Sequence, residues 1–470
     1  MPVHVLTIAQ MREWEQATWA AHRTEDDVIR RVGHIVADRA VRMTRPADLV
    51  IVLAGKGHNG DDARRASHNL FDREVNLINV IDPEAARKEL ATQWSLQPTL
   101  IIDGLFGIGL NRPLDDAWIE LIHEVNNSGV PVLSIDVPSG LNADSGEPWG
   151  SSVRASVTLC LGAPKRGLLE SHAWPYAGRL EVAPSIGLIP CEHRTPLIWT
   201  LPEDFSGFPS QRAVASHKGT FGHVAIIAGS TGYYGAAVLC AQAALRAQPG
   251  LVSVFTPPSA SLPVACQLQA AMVHPWRSGM RFPDIFTSVV IGPGLAGPDV
   301  TDDLRSEVIR IWENFPFPVV ADASALDWLP RGGTISGKLR VITPHPGEAA
   351  RMLARRPEDL QKNRPEAVRE LSRRYGEVWV VLKGYQTCIG KSSGELFVNS
   401  SGNPFLAQGG AGDVLAGYLG GLLADPEARK EPLPSILYGV WQHGAAADNL
   451  SARRPNWGIA ELVDEIGNIS

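Results

Sequence analysis

NSSGNPFLAQGGAGDVL, residues 399–415, closes a loop with three glycines and an aspartate and then turns helical. Val414, Leu415, Tyr418, Leu419, Leu422 and Leu423 recur at helical spacing and leave one face apolar, which puts the helix N-terminus at 409–413. Gly409, Gly410 and Gly412 let backbone amides approach an anion, and the helix dipole adds partial positive charge at the same point. Asp413 would then stand beside a bound phosphate. A carboxylate there is costly unless it takes a proton from an attacking hydroxyl, the general-base role in phosphoryl transfer. A bare GxGD also reads as a glycine-rich turn with a capping aspartate. The flanking blocks have to separate the two.

Those blocks are short β-branched runs, each ending in Gly, Pro, Asp or His. Residues 289–291 lead into GPGLAG (292–297), 319–322 end in Asp322, 341–343 lead into PHPGE (344–348), and 378–382 lead into Lys383-Gly384. Buried parallel strands that deliver functional groups at their carboxyl ends have this pattern. On these residues, together with SHKGTFGHVAIIAGS (216–230), GAAVLCAQAALRAQPGLVSV (235–254) and DASAL (322–326), the second half resembles the ribokinase-like family. Within that family it closely resembles the ADP- or ATP-dependent NAD(P)H-hydrate dehydratases. The matches run in order through nearly the whole half, which makes them specific.

The first half carries three more strand-to-loop units: 49–53 opening into GKGHNGDDARRA (55–66), 99–103 into GLFGIGLNRPL (104–114), and 130–135 into DVPSGLNADSG (136–146). Alone, each reads more readily as a structural strand-to-helix turn than as a ligand loop. Together they resemble the NAD(P)H-hydrate epimerase domain, a Rossmann-like unit found fused ahead of the dehydratase. The expected fold is therefore α/β in two domains: an N-terminal Rossmann-like three-layer α/β/α domain over 1–200 and a C-terminal ribokinase-like α/β domain over 201–470.

Length and composition agree. A chain of 470 residues needs more than one core. Residues 186–215, with Pro190, Pro196, Pro202 and Pro209 and little periodicity, suit a connector. With 44% hydrophobic and 20% charged residues, the chain has the composition of a soluble globular protein, and a formal charge of -7 leaves no electrostatic footprint for nucleic acid. Five scattered cysteines without CxxC spacing read as thiols of a reducing cytosol, so a cytoplasmic location is expected. Thr7 to Gln10 looks like a helix capping box, not a leader, and no stretch approaches transmembrane length.

The resemblance implies a chemistry and a set of residues. Hydrated NADH or NADPH (NADHX, NADPHX) carries a ring hydroxyl, and phosphorylating it makes a leaving group whose loss regenerates the dinucleotide. Asp413 would accept the hydroxyl proton; Lys383, Gly384, Tyr385, Gln386, Thr387 and Gly412 would contact ADP or ATP, with Mg²⁺ held mainly by phosphates and water; and Ala236, Gly294, His345 and Asp413 would contact the hydrate. His345 also reads as a turn residue bonded to backbone, and Asn399 and Asn403 as turn formers around Gly402. In the first half the resemblance implies K⁺ on Asn59, Asp103 and Ser139. It implies substrate contacts from His58, Asn59, Gly60, Asp61 and Asp62 and from Gly107, Ile108, Gly109, Leu110, Asn111, Arg112 and Pro113. It implies a substrate-binding carboxylate in Asp136, which is also the acid/base candidate, and Lys165 is either its cationic partner or a solvated surface lysine. A homo-oligomer is expected.

This chain departs from the family in two places: an expected MERAG-like segment in the first helices reads IRRVG (29–33), and one loop differs. GxGNNGGDG becomes GKGHNGDDA, with Asp61 and Ala63 at expected glycines and His58 at an expected asparagine. If the glycine at 61 supplied positive φ or a close backbone approach, Asp61 would be strained and would add negative charge beside a phosphate-bearing ligand, slowing epimerisation. Two other readings stay open: a ribokinase-like kinase for a small hydroxylated molecule, and a dehydratase with a non-catalytic first half.

Overall fold

The computed structural model describes residues 2–280, 282, 285–332 and 337–469. Its chain divides into two units, residues 3–199 and residues 200 onward. Each is built on its own sheet.

The first unit opens with β1 (Val3–His4) and closes with β8 (Leu197–Trp199), which pair antiparallel. Between them run β2 (Leu49–Ala54), β3 (Glu74–Asn79), β4 (Leu100–Gly104), β5 (Val132–Ile135), β6 (Val157–Leu161) and β7 (Arg179–Ala183), a parallel sheet in the order β3-β2-β4-β5-β6-β7. Every residue of β2, β4, β5 and β6 is buried, as a parallel strand covered on both faces requires. One face packs on helix Glu25–Met43 through Val32, Val36, Ala37 and Ala40, spaced for one helical stripe; the other packs on Leu90, Leu121, Ile122 and Val125. Thr24 caps the first helix, Glu25, Asp26 and Asp27 lie in its first turn and Arg42 in its last, all complementing the dipole. Strand order reverses between β2 and β4, so a crevice opens at their carboxyl ends, where α/β sheets bind ligands.

In the second unit seven parallel strands stand in the order β11-β10-β9-β12-β13-β14-β15, continued by an antiparallel hairpin. They are β9 (His223–Ile227), β10 (Leu251–Thr256), β11 (Met272–Pro275), β12 (Ser288–Ile291), β13 (Val319–Ala321), β14 (Arg340–Ile342) and β15 (Trp379–Leu382); β16 (Cys388–Gly390) and β17 (Leu396–Val398) form the hairpin. The antiparallel edge is not legible in a run of parallel-type strands. It makes Lys383–Thr387 the tight connection between β15 and β16.

The glycine-led helix runs Ala411–Leu422 and is buried nearly all round, not on one face as its large residues suggest. A Cβ at Gly417 would lie 2.0 Å from the Cys240 carbonyl oxygen, and one at Gly420 would lie 2.1 Å from Val290. Side-chain-free positions thus let the helix rest directly on helix Tyr234–Arg246 and on β12. Its N-terminus is fixed by that contact against the carboxyl ends of the strands. Among the described residues no helix is long and apolar enough to cross a membrane.

Candidate active sites

Asp413 lies in the first turn of helix Ala411–Leu422, behind Gly410 at φ +99°. That left-handed conformation suits glycine, and a Cβ there would meet Leu239 at 2.7 Å. The first-turn amides of a helix have no partner within it, and here they open where the helix meets Lys383 and Asp322. A Cβ at Gly412 would stand 3.1 Å from Lys383 Nζ and 3.4 Å from Asp322 Oδ2. Lys383 Nζ donates to Asp322 Oδ1 at 2.7 Å and sits 3.9 Å from Glu348 Oε2. The lysine side chain thus turns from its loop into the carboxylates. Burial, then the negative charges of Asp322 and Glu348 opposed by Lys383, push the Asp413 carboxyl up to about 7. A carboxyl poised there suits proton transfer near neutrality.

Around this centre the predicted residues divide. Gly294 (φ +65°) and Ala236 are brought together, since a Cβ on the glycine would meet that of Ala236 at 2.7 Å. His345 caps helix Pro346–Leu353: its Nδ1 accepts from the amides of Gly347 and Glu348 at 3.0 and 3.3 Å, while its backbone N–H donates to Glu348 Oε2 at 2.8 Å. The turn role is therefore real, and Nε2, on a half-exposed ring, lies 3.5 Å from Glu348 Oε1. Gly384 (φ +129°), Tyr385, Gln386 (φ +53°) and Thr387 form the exposed turn beyond Lys383. Asn403 caps the short Pro404–Leu406 turn and donates to Asp448 at 2.9 Å, so it shapes the loop. Asp322 and Glu348 stood inside recognised motifs without a role. Their partner, 61 and 35 residues further along, was the missing signal.

The first unit holds a cavity of about 530 Å³ at its crevice. His58, Asn59, Asp62, Gly107–Arg112, Asp136 and Lys165 line it; Gly60, Asp61 and Pro113 do not. Lys165 is wholly buried, pairs with Asp136 and donates to the Leu161 carbonyl at 2.8 Å, so the solvated-lysine reading is excluded. Asp136 holds φ +67°, unusual for a non-glycine residue and the kind of strain that clusters at functional sites. Glu15 also lines the cavity; burial first and Asp136 second raise its carboxyl. Burial likewise raises Asp62, whose Oδ1 has no partner. Glu15 escaped notice as one more acid on an amphipathic helix.

Asp103 and Ser139 are fully buried off the cavity wall. Asp103 accepts from Ser139 Oγ (2.5 Å), Ser139 N (2.9 Å), Ser134 Oγ (2.8 Å) and Leu105 N (3.3 Å), all uncharged donors. Asp61 corrects an expectation. It sits in the first turn of helix His58–Ser67 with no positive φ, and Arg64 pairs with it at 2.8 Å while also donating to the Gly55 carbonyl. The helix accepts any residue there, and the added charge arrives with its counter-ion.

Comparison with known proteins agrees with both halves. The profile of a family described as NAD(P)H-hydrate dehydratase matches residues 224–467, and one described as YjeF-related protein N-terminus matches 82–167. A bifunctional NAD(P)H-hydrate repair enzyme of Gloeobacter violaceus is 35% identical, with 96% of this chain and 94% of that protein covered. Its Escherichia coli counterpart is 35% identical over 86% of this chain and 81% of its own length. A ribokinase-like superfamily protein of Enterococcus faecalis, 23% identical, overlays 59% of this chain and 96% of its own with a TM-score of 0.51, which speaks to the fold of the second unit. Matched to such relatives along nearly its whole length, the chain belongs to the family of bifunctional NAD(P)H-hydrate repair enzymes.

Proposed function

We propose that the second unit phosphorylates and dehydrates the S epimer of hydrated NADH or NADPH at the expense of ADP or ATP, and that the first unit interconverts the R and S epimers. Asp413 takes the proton of the ring hydroxyl as its oxygen attacks the terminal phosphorus. The first-turn amides at Gly412 and Asp413, with the Lys383 ammonium, face the charge that develops on the transferred group. Phosphate then leaves with the C–O electron pair, and loss of a ring proton restores the dihydronicotinamide. Mg²⁺ fits as a companion of the nucleotide phosphates, because the helix N-terminus and bare Gly412 leave an anion cradle that a side chain would fill. The single observation that carries this half is the placement of Asp413 in the first turn of a glycine-led helix, where a Cβ at the adjoining Gly412 would stand 3.1 Å from Lys383 Nζ.

In the first unit Asp136, paired with buried Lys165, is the proton-transfer candidate. K⁺ would be held by Asp103 and Ser139 with Asn59 through its Oδ1: a carboxylate buried among uncharged donors would gain a counter-charge. An alkali cation there would supply fixed positive charge and hold the carboxyl ends of β2, β4 and β5 together.

The test is product stoichiometry. ATP and the S hydrate should yield equal amounts of reduced dinucleotide and orthophosphate; a phosphorylated product that accumulates without regained absorbance would instead support a small-molecule kinase.

A further inference from the structure

Lys383 has three carboxylates to choose from, and the structure shows which it takes. Asp322, only 2% exposed at the end of β13, receives Lys383 Nζ at 2.7 Å and the Thr343 hydroxyl at 2.8 Å on the same oxygen, Oδ1. Glu348 stands 3.9 Å from the ammonium, and its Oε2 is engaged by the His345 amide. Thr343, one residue beyond the end of β14, thus fixes the acid that fixes the lysine. No ion pair joins Lys383 to Asp413 among the described residues; between them lies the side-chain-free Gly412.

We propose that Asp322 is a positioning residue for phosphoryl transfer: it holds the Lys383 ammonium against its own carboxylate, so that Asp413 remains free to accept the substrate's proton instead of closing an ion pair with the lysine. This rests on Asp413 being the base of the reaction proposed above. A base locked to an adjacent ammonium is a weaker base, and the ammonium so spent is lost to the incoming phosphates. The other titratable groups around this centre do not compete. His443 is kept neutral by burial, at about 4, with its Nε2 at 2.9 Å from the Ala411 carbonyl oxygen. Cys240 stays a thiol because burial, then Asp413 and Asp322, raise it. Glu348 and Asp322 both raise Asp413, while Lys383 lowers it.

The experiment is the pH dependence of kcat for the full-length enzyme with S hydrate, saturating ATP and Mg²⁺. In Asp322→Asn the lysine is released toward Asp413 and the Asp322 charge is lost with it, so the acid limb should move to lower pH by on the order of one unit and the plateau should fall; Thr343→Val, which keeps that charge, reads the release alone. Lys383→Met should move the limb the opposite way, and Asp322→Glu should return it toward the parent. Thr343→Val, which removes one bond to Asp322 while keeping the shape, should give a smaller shift in the same direction as Asp322→Asn, and it replaces that variant if the latter fails to fold. An unmoved limb in Asp322→Asn, or a raised Mg²⁺ requirement with the limb in place, overturns the positioning role while leaving the dehydratase reading intact. A wild type that returns no dinucleotide from the S hydrate overturns both.

Discussion

Asp413→Asn should separate what this acid does in catalysis from what it costs the fold. Burial, with Asp322 and Glu348 adding to it and Lys383 opposing, holds the carboxyl at about 7, whereas in an unfolded chain it ionises near ~3.9. A group that binds its proton more tightly when folded contributes stability below the unfolded value and loses it as pH rises through the folded value. The window here runs from about 4 to about 7. At ~1.36 kcal/mol per pH unit, the ionised carboxylate costs the second unit up to about 4 kcal/mol at pH 8, less whatever solvent screens at this partly exposed side chain. Asparagine removes that cost. The variant should therefore be more stable than the parent by roughly 2–4 kcal/mol at pH 8 and little different at pH 4. Its turnover should fall by about 10²–10⁴-fold, the usual contribution of a positioned base. Parental kcat/KM for the hydrate should rise about tenfold from pH 6 to pH 8, following ionisation of the same group in the free site. Urea unfolding of the transition that ATP displaces, measured across that range, reads the first quantity; regained reduced-nicotinamide absorbance reads the second. A stability difference that does not change with pH, or near-parental turnover in a folded variant, would refute the reasoning.

Gly410→Val forces a branched side chain into φ +99° and within 2.7 Å of Leu239, so it should destabilise the second unit by roughly 2–4 kcal/mol and weaken ATP binding; calorimetric titration with unchanged affinity would count against the cradle. Lys165→Met strands the buried Asp136 carboxylate, for a loss of about 3–5 kcal/mol in the first unit together with epimerisation, and a parental unfolding curve would contradict the pairing. Replacing Asp61 and Ala63 together by glycine breaks the Arg64 pair and lowers helix propensity by ~1 kcal/mol at position 63 and a few tenths at position 61, so epimerisation should be no faster than in the parent. A faster double variant would restore the view that Asp61 strains the loop.

What the sequence disclosed and what it hid differ by kind of interaction. The strands at 49–54, 100–104, 288–291 and 379–382 were legible because parallel strands buried on both faces must be apolar throughout. The burial of helix Ala411–Leu422 on all sides was not. Gly417 and Gly420 look like gaps in a pattern, and only the backbone of Cys240 and the side chain of Val290 show what fills them. Motif order located the Lys383–Thr387 turn, yet the direction of the Lys383 side chain depends on Asp322, 61 residues earlier in sequence and two strands away, across β14. At Asp61 the family comparison suggested strain, whereas the local remedy, Arg64 three residues on, lay in plain view as an i,i+3 pair.

The most direct test of the whole account is one incubation of the full-length protein with a mixture of R and S hydrates of NADH, ATP and Mg²⁺, in which each epimer is followed separately as absorbance returns. Both epimers should disappear, the R form only as fast as it is converted to S, and the regained dinucleotide should equal their sum. With Asp413→Asn the two should still interchange while no dinucleotide returns. Return of dinucleotide that stops when the S form is exhausted would make the first unit a non-catalytic module, and no return from either epimer would contradict the account at its centre.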